Sequence, residues 1–141
     1  MALLALAYAS KAIEGLPDGK IDQLTRDASS FNAMAGVTGL LVFDGARFLQ
    51  YVEGPEDGIE AVYSRIRFAK SHSDLVELAR GRVSKRRFPY WSMRWIPVEE
   101  AALREAMFSD WTSFAQRQHR SRAQPTGVDR LSELAAPYIA L

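Results

Sequence analysis

The stretch FDGARFLQYVEG, Phe43 to Gly54, decides where a hairpin turns and which way its second strand faces. Asp44-Gly45 is a dipeptide that supplies the positive φ angles of a tight hairpin turn, so a strand is expected to run onward from about Arg47. Side chains along a strand alternate between its faces. That puts Phe48, Gln50 and Val52 on one side and Leu49, Tyr51 and Glu53 on the other. Gln50 thus shares a face with two apolar neighbours. A buried primary amide costs free energy unless its donors and acceptor find partners, so either the core or a bound molecule must supply them.

Working outward, GLLVF (Gly39–Phe43) is the first strand of the hairpin. After it, GPEDGIEAVYSRIRFAK opens with Pro55 and two acids, which suit a helix N-terminus, and continues with Ile59, Val62, Ile66 and Ala69 at helical spacing. Upstream, Ile21, Leu24, Ala28 and Phe31 form one stripe of an amphipathic helix that should fade near Asn32, with Gly36 marking the break. LLALAYAS (Leu3–Ser10), DLVELARGRVS (Asp74–Ser84) and YWSMRWI (Tyr90–Ile96) read as further strands. The order predicts an α+β, ferredoxin-like βαββαβ sheet with two helices on one face and an added fifth strand. In that topology the first and third strands lie side by side at the centre. Tyr8 and Gln50 then become neighbours facing the helices.

Beyond Trp95 the pattern changes. VEEAALREAM and SDWTSFAQR look helical, QHRSRAQPTG is a polar linker, and VDRLSELAAPYIAL is an amphipathic tail broken at Pro137. The chain divides into a sheet domain over residues 1–96 and a C-terminal helical extension over 97–141 that serves as cap, oligomerisation or output segment. The face carrying Leu49 and Tyr51 needs a cover, either that tail or a second copy of the sheet.

Composition narrows the function classes. The 141 residues are 48% hydrophobic and 25% charged, with a formal charge of +1, which gives no general pull toward nucleic acid or an anionic membrane. There are no cysteines, which rules out disulfides, thiolate metal sites and a cysteine nucleophile. The apolar opening MALLALAYASKA is too short to span a bilayer and lacks a basic leader, so the expected location is the cytoplasm.

Four segments together resemble the BLUF domain, the flavin-binding blue-light sensor module. They are YAS (Tyr8, Ser10), FNAMAGVTGLLVF (Asn32, then Gly36 to Gly39), RFLQYVEGPED (Phe48, Gln50, Glu53, Gly54) and RRFPYWSM (Arg86, Phe88, Trp91, Met93). The resemblance covers about Leu3 to Trp95. It implies a non-covalent flavin (FAD, with FMN or riboflavin as alternatives) held by Tyr8, Ser10, Leu24, Asn32, Leu41, Phe48, Gln50, His72 and Met93. Tyr8 and Gln50 would be photoactive, with Tyr8 giving an electron and a proton to the excited flavin while Gln50 rotates or tautomerises. The result would be a small redshift. Trp91 and Met93, taken to share a face of the last strand, would relay the change. The absence of cysteine excludes cysteinyl-flavin photochemistry. One departure stands out. Where the family usually has Asp-x-Arg-His after the second helix, this chain has Ala69-Lys70-Ser71-His72, and Lys70 or Arg67 is the expected substitute cation.

Each residue also has a bland reading. Gln50 alone would be a satisfied structural amide, Tyr8 a core tyrosine, Asn32 a helix C-cap, Ser10 a strand hydroxyl, His72 a surface histidine, and Trp91 and Met93 plain core. Two rival functions share the topology. An acylphosphatase-like enzyme would need a phosphate-cradling loop with an arginine after the first strand, where SKAIEGLPDGK offers only Lys11 and Lys20. An RNA-binding sheet would need exposed stacking aromatics, for which Tyr51 is the lone hint. The expected protein is therefore a sensor rather than an enzyme. Its output would pass through a homodimer or higher homo-oligomer, or through a separate downstream protein, with no nucleic-acid or membrane partner.

Overall fold

Alternation and turn chemistry are carried through in the computed structural model, which describes residues 3–17, 19–111 and 126–139. The elements are β1 (Leu3–Ala12), α1 (Lys20–Ala35), β2 (Thr38–Phe43), β3 (Arg47–Gly54), α2 (Glu56–Arg67), β4 (His72–Val83), β5 (Trp95–Pro97), α3 (Glu100–Met107) and α4 (Gly127–Ile139). The sheet runs β4-β1-β3-β2-β5. Within this sheet, among the described residues, only the β2–β5 pairing is parallel, so the first four strands are the antiparallel ferredoxin-like set and β5 is the addition. At the hairpin, Gly45 has φ 99° and the Asp44 carboxylate accepts the backbone N–H groups of Ala46 and Arg47 at 2.9 and 2.8 Å. That is the local bonding for which Asp is favoured in turns.

The first helix is longer than its apolar stripe suggests. It ends at Gly36 in the left-handed conformation, where glycine is least strained, and Asn32 therefore lies inside the helix rather than capping it. α1 and α2 cover one face of the sheet. Beneath them, Leu4, Leu6, Tyr8 and Val52 pack with Ile59, Val62 and Ile66. The helices meet closely near Gly58, where an added Cβ would collide with the carbonyl oxygen of Ala35. Gly58→Ala should consequently cost about 1–3 kcal/mol of stability, the usual cost of overpacking, and lower the urea midpoint. An unchanged midpoint would mean that the two helices part without cost.

The opposite face is not left for a second copy. Ala5, Ala7, Leu49 and Tyr51 are fully buried in one cluster with Leu103 and Ala106 of α3 and Val128, Leu131 and Ala135 of α4. An oligomer built on an open sheet face is thus not available to this fold, because the chain covers that face itself. Pro137 does not break the tail, since α4 continues through it to Ile139. The N–H that proline lacks would have bonded to Glu133, whose exposed position lets water take that place. Ser109–Trp111 are not helical, and the rest of SDWTSFAQR lies outside the described residues. Of YWSMRWI, only Trp95 and Ile96 join the ladder.

Candidate functional site

The groove between α1 and α2 opens onto β1 and β3, and it holds a partly open cavity of about 250 Å³. Typical small-molecule sites run ~300–1,000 Å³, so this volume suits a flat ring system better than a whole dinucleotide. Tyr8, Ser10, Phe48 and Gln50 reach it from the two central strands. Leu24 and Asn32 line it from α1, Leu41 from β2, His72 from the start of β4, and Met93 from the segment before β5. A second, larger depression of about 680 Å³, beside Lys11, Arg47 and Trp95, contains none of these residues.

Tyr8 and Gln50 are cross-strand partners, and the Tyr8 hydroxyl donates to Gln50 Oε1. The amide nitrogen points the other way and donates to Met93 Sδ at 3.6 Å, a weak acceptor. Burial pushes the Tyr8 phenol well above the usual tyrosine range; Tyr63 adds to the shift and Arg65 opposes it. Tyr8 therefore holds its proton and acts as a donor. Asn32 Nδ2 donates to the Ser92 carbonyl at 2.8 Å, and the Ser29 and Ser92 hydroxyls also bond, so α1 is tied to the segment carrying Met93. The His72 ring hydrogen-bonds through Nε2 to the Ile66 carbonyl at 2.9 Å and lies 6.3 Å from both the Tyr8 and Phe48 rings.

The cation at the rim is Arg65, not Lys70 or Arg67. Its guanidinium lies 5.2 Å over the Phe31 ring and so crosses the mouth from α2 to α1. Arg67 instead lies over Tyr63 and Phe68. Arg65 sits three positions after Val62, a spacing that could have placed it on the groove side.

Trp91 and Met93 do not share a face. Gly39 N–H bonds to Trp91 O and Leu41 N–H to Arg94 O, so two steps along β2 oppose three along the incoming chain. The extra residue acts as a bulge and reverses the alternation. Met93 points into the groove, whereas Trp91 stacks on Phe88 on the far side, with centroids 6.4 Å apart and planes 12° apart.

The same alternation argument that singled out Gln50 applies to Glu53, which lies in the motif but has no role assigned from the sequence. Glu53 is fully buried on the far face and accepts from Arg87 N–H at 3.0 Å, Phe88 N–H at 2.7 Å and the Tyr51 hydroxyl at 3.1 Å. Burial raises its carboxyl above the ordinary range, against the pull of those donors.

The profile of the family described as BLUF, sensors of blue-light using FAD, matches residues 3–94. The chain belongs to the BLUF family. It is 32% identical over 124 residues to the blue light- and temperature-regulated antirepressor BluF of Escherichia coli (strain K12), a stretch covering 86% of this chain and 31% of that protein. It therefore spans about a third of that relative. The dark-state structure of the BLUF protein BlrB superposes with a TM-score of 0.71 at 26% identity, covering 96% of each chain. Klebsiella pneumoniae BlrP1 with FMN and cyclic diGMP gives 0.66 at 30% identity, covering 98% of this chain and 34% of that one.

A BLUF domain is a flavin-binding blue-light sensor, and this groove fits a flavin ring. Ser10 Oγ is buried, lines the cavity, and has no hydrogen-bond partner among the described residues. Amides and apolar side chains surround it, as a planar heterocycle with a polar edge requires. The RNA-binding alternative also fails locally, because Tyr51 is buried against Phe88 rather than exposed for stacking. Among the described residues no helix is long and apolar enough to cross a membrane.

Proposed function

We propose that Tyr8 and Gln50 are the light switch of this BLUF domain, with Met93 as the first residue to register it. The observation that carries this reading is the buried chain Tyr8 hydroxyl, Gln50 amide and Met93 sulfur along the wall of the cavity. Bound flavin supplies absorption of blue light and an oxidising excited state. Tyr8 is the residue placed to yield an electron, and its hydroxyl proton already points at Gln50 Oε1. When that proton leaves, the amide loses the donor that holds its carbonyl end and can turn, bringing its NH₂ toward Tyr8. Turning also takes the N–H from Met93 Sδ. Ser10, Asn32, Leu24, Leu41, Phe48 and His72 would hold the ring, with Arg65 as the nearest cation at the rim. An absorption spectrum before and after blue light tests this: a small reversible redshift is expected, and its absence would refute the reading.

FAD, FMN and riboflavin should bind with similar affinity, because Ser71 stands where the family usually has an arginine and an exposed phosphate gains little from distant charge. Titration of the flavin-free protein with all three checks this, and a strong preference for FAD would count against it. We further infer a cytoplasmic sensor without enzymatic activity of its own. Residues 97–141 serve as its output cap, and the signal passes to an oligomer or to a separate protein.

A further inference from the structure

Residues 87–94 connect the switch strand to α4 at two places. Near the start of the segment, the Glu53 carboxylate holds the backbone of Arg87 and Phe88, and Arg87 Nη2 bonds to Asp129 at 3.0 Å and to Ser132 at 2.9 Å in the first half of α4. Near its end, Met93 touches the Gln50 amide, and the next residue, Arg94, lies between two rings. Its guanidinium carbon is 5.4 Å from the Trp91 centroid and 5.1 Å from that of Tyr138, in the last turn of α4. Glu53 and Gln50 are both on β3 but on opposite faces, so the segment meets a buried carboxylate at one end, while at the other its backbone bonds to β2 and the Met93 side chain meets the switch.

We propose that Arg94 and Tyr138 form the clasp through which this domain reports light, and that Arg87 with Glu53 is the fixed end about which the segment pivots. The inference rests on Gln50 being the switch. Once the Gln50 N–H leaves Met93 Sδ, the Met93 side chain loses its link to β3. The backbone stays on β2 through the Leu41 N–H to Arg94 O bond of 2.8 Å, and it is the Arg94 side chain that moves, withdrawing its guanidinium from the Tyr138 ring. The last turn of α4 loosens while its first half, held by Arg87, does not. Arg94 is thus a positioning residue, since it does not line the cavity. Both Arg94 and Tyr138 are only half-buried; Tyr138 packs on the edge of the far-face cluster, so a leucine there keeps an apolar side chain against it.

The test is hydrogen exchange of the flavin-loaded full chain in darkness and in blue light, read separately over residues 127–133 and 134–139. Wild type should exchange about tenfold faster in the light over 134–139 only, the size expected for losing a part-buried cation–π contact. Tyr138→Phe and Arg94→Lys keep ring and charge and should retain the difference. Tyr138→Leu and Arg94→Met should exchange fast in both states with no light difference, while keeping the flavin redshift. A light difference that persists in Tyr138→Leu or Arg94→Met overturns the proposal. So does a wild-type response confined to 127–133, or none at all in a protein that still shifts its spectrum. Loss of the redshift in wild type would instead refute Gln50 as the switch.

Discussion

Gln50→Leu should leave a folded, yellow protein whose spectrum no longer moves under blue light. Leucine approximates glutamine in volume, and its neighbours Phe48 and Val52 on the same strand face are apolar, so packing should survive. The Tyr8 hydroxyl loses its acceptor, at a cost of about 1–3 kcal/mol for one buried group left unpaired. That is too little to unfold a domain of ordinary stability, ~5–15 kcal/mol. What disappears is the group that hydrogen-bonds to both Tyr8 and Met93. Tyr51→Phe is the register control, because Tyr51 neighbours Gln50 in sequence but lies on the far face. The redshift should be complete in Tyr51→Phe and absent in Gln50→Leu. A normal redshift in Gln50→Leu would remove the amide from the mechanism.

That contrast between adjacent residues was legible in the sequence because it depends only on a turn and a period of two. Asp44-Gly45 set the hairpin, and alternation from Arg47 then put Gln50 and Tyr51 on opposite faces. The strand order followed from the sequence of elements, which brought Tyr8 beside Gln50. What stayed illegible depended on backbone pairing between distant segments. The reversal at Trp91 and Met93 arises from where Trp91 O and Arg94 O meet β2, and nothing in YWSMRWI signals the extra residue. The cover over Leu49 and Tyr51 was foreseen, but its source, cis or trans, is a matter of tertiary packing. Pro137 misled because a helix-breaking residue is tolerated where the carbonyl it orphans faces water. Arg65 lies outside the four motif segments, and only the packing of α2 against α1 brings its guanidinium to the groove in place of the arginine absent at Ser71.

Glu53→Leu should be the most destabilising single change on the far face. It leaves two backbone N–H groups, those of Arg87 and the fully buried Phe88, without their acceptor. At about 1–3 kcal/mol for each stranded donor the loss is roughly 2–6 kcal/mol, a large part of a typical domain's stability. Glu53→Gln keeps one acceptor oxygen but turns an NH₂ toward the second donor, so it should fall between the two. The pH dependence has a definite sign. The folded carboxyl titrates above its ordinary value because burial disfavours the charge, so ionisation costs the folded state more than the unfolded chain. Its stabilising contribution is complete below the unfolded pKa of about 4.3 and declines as pH rises through the raised folded value. The advantage of wild type over Glu53→Gln in urea unfolding should therefore be greatest near that acid limit and shrink toward neutrality. A constant or widening gap would mean that the donors from Arg87, Phe88 and Tyr51 outweigh burial. The same variants bear on signalling. If Glu53 is where the 87–94 segment is anchored, Glu53→Gln should keep the flavin redshift, whose groups lie on the other face, while the light response of α4 spreads from its last turn into its first half.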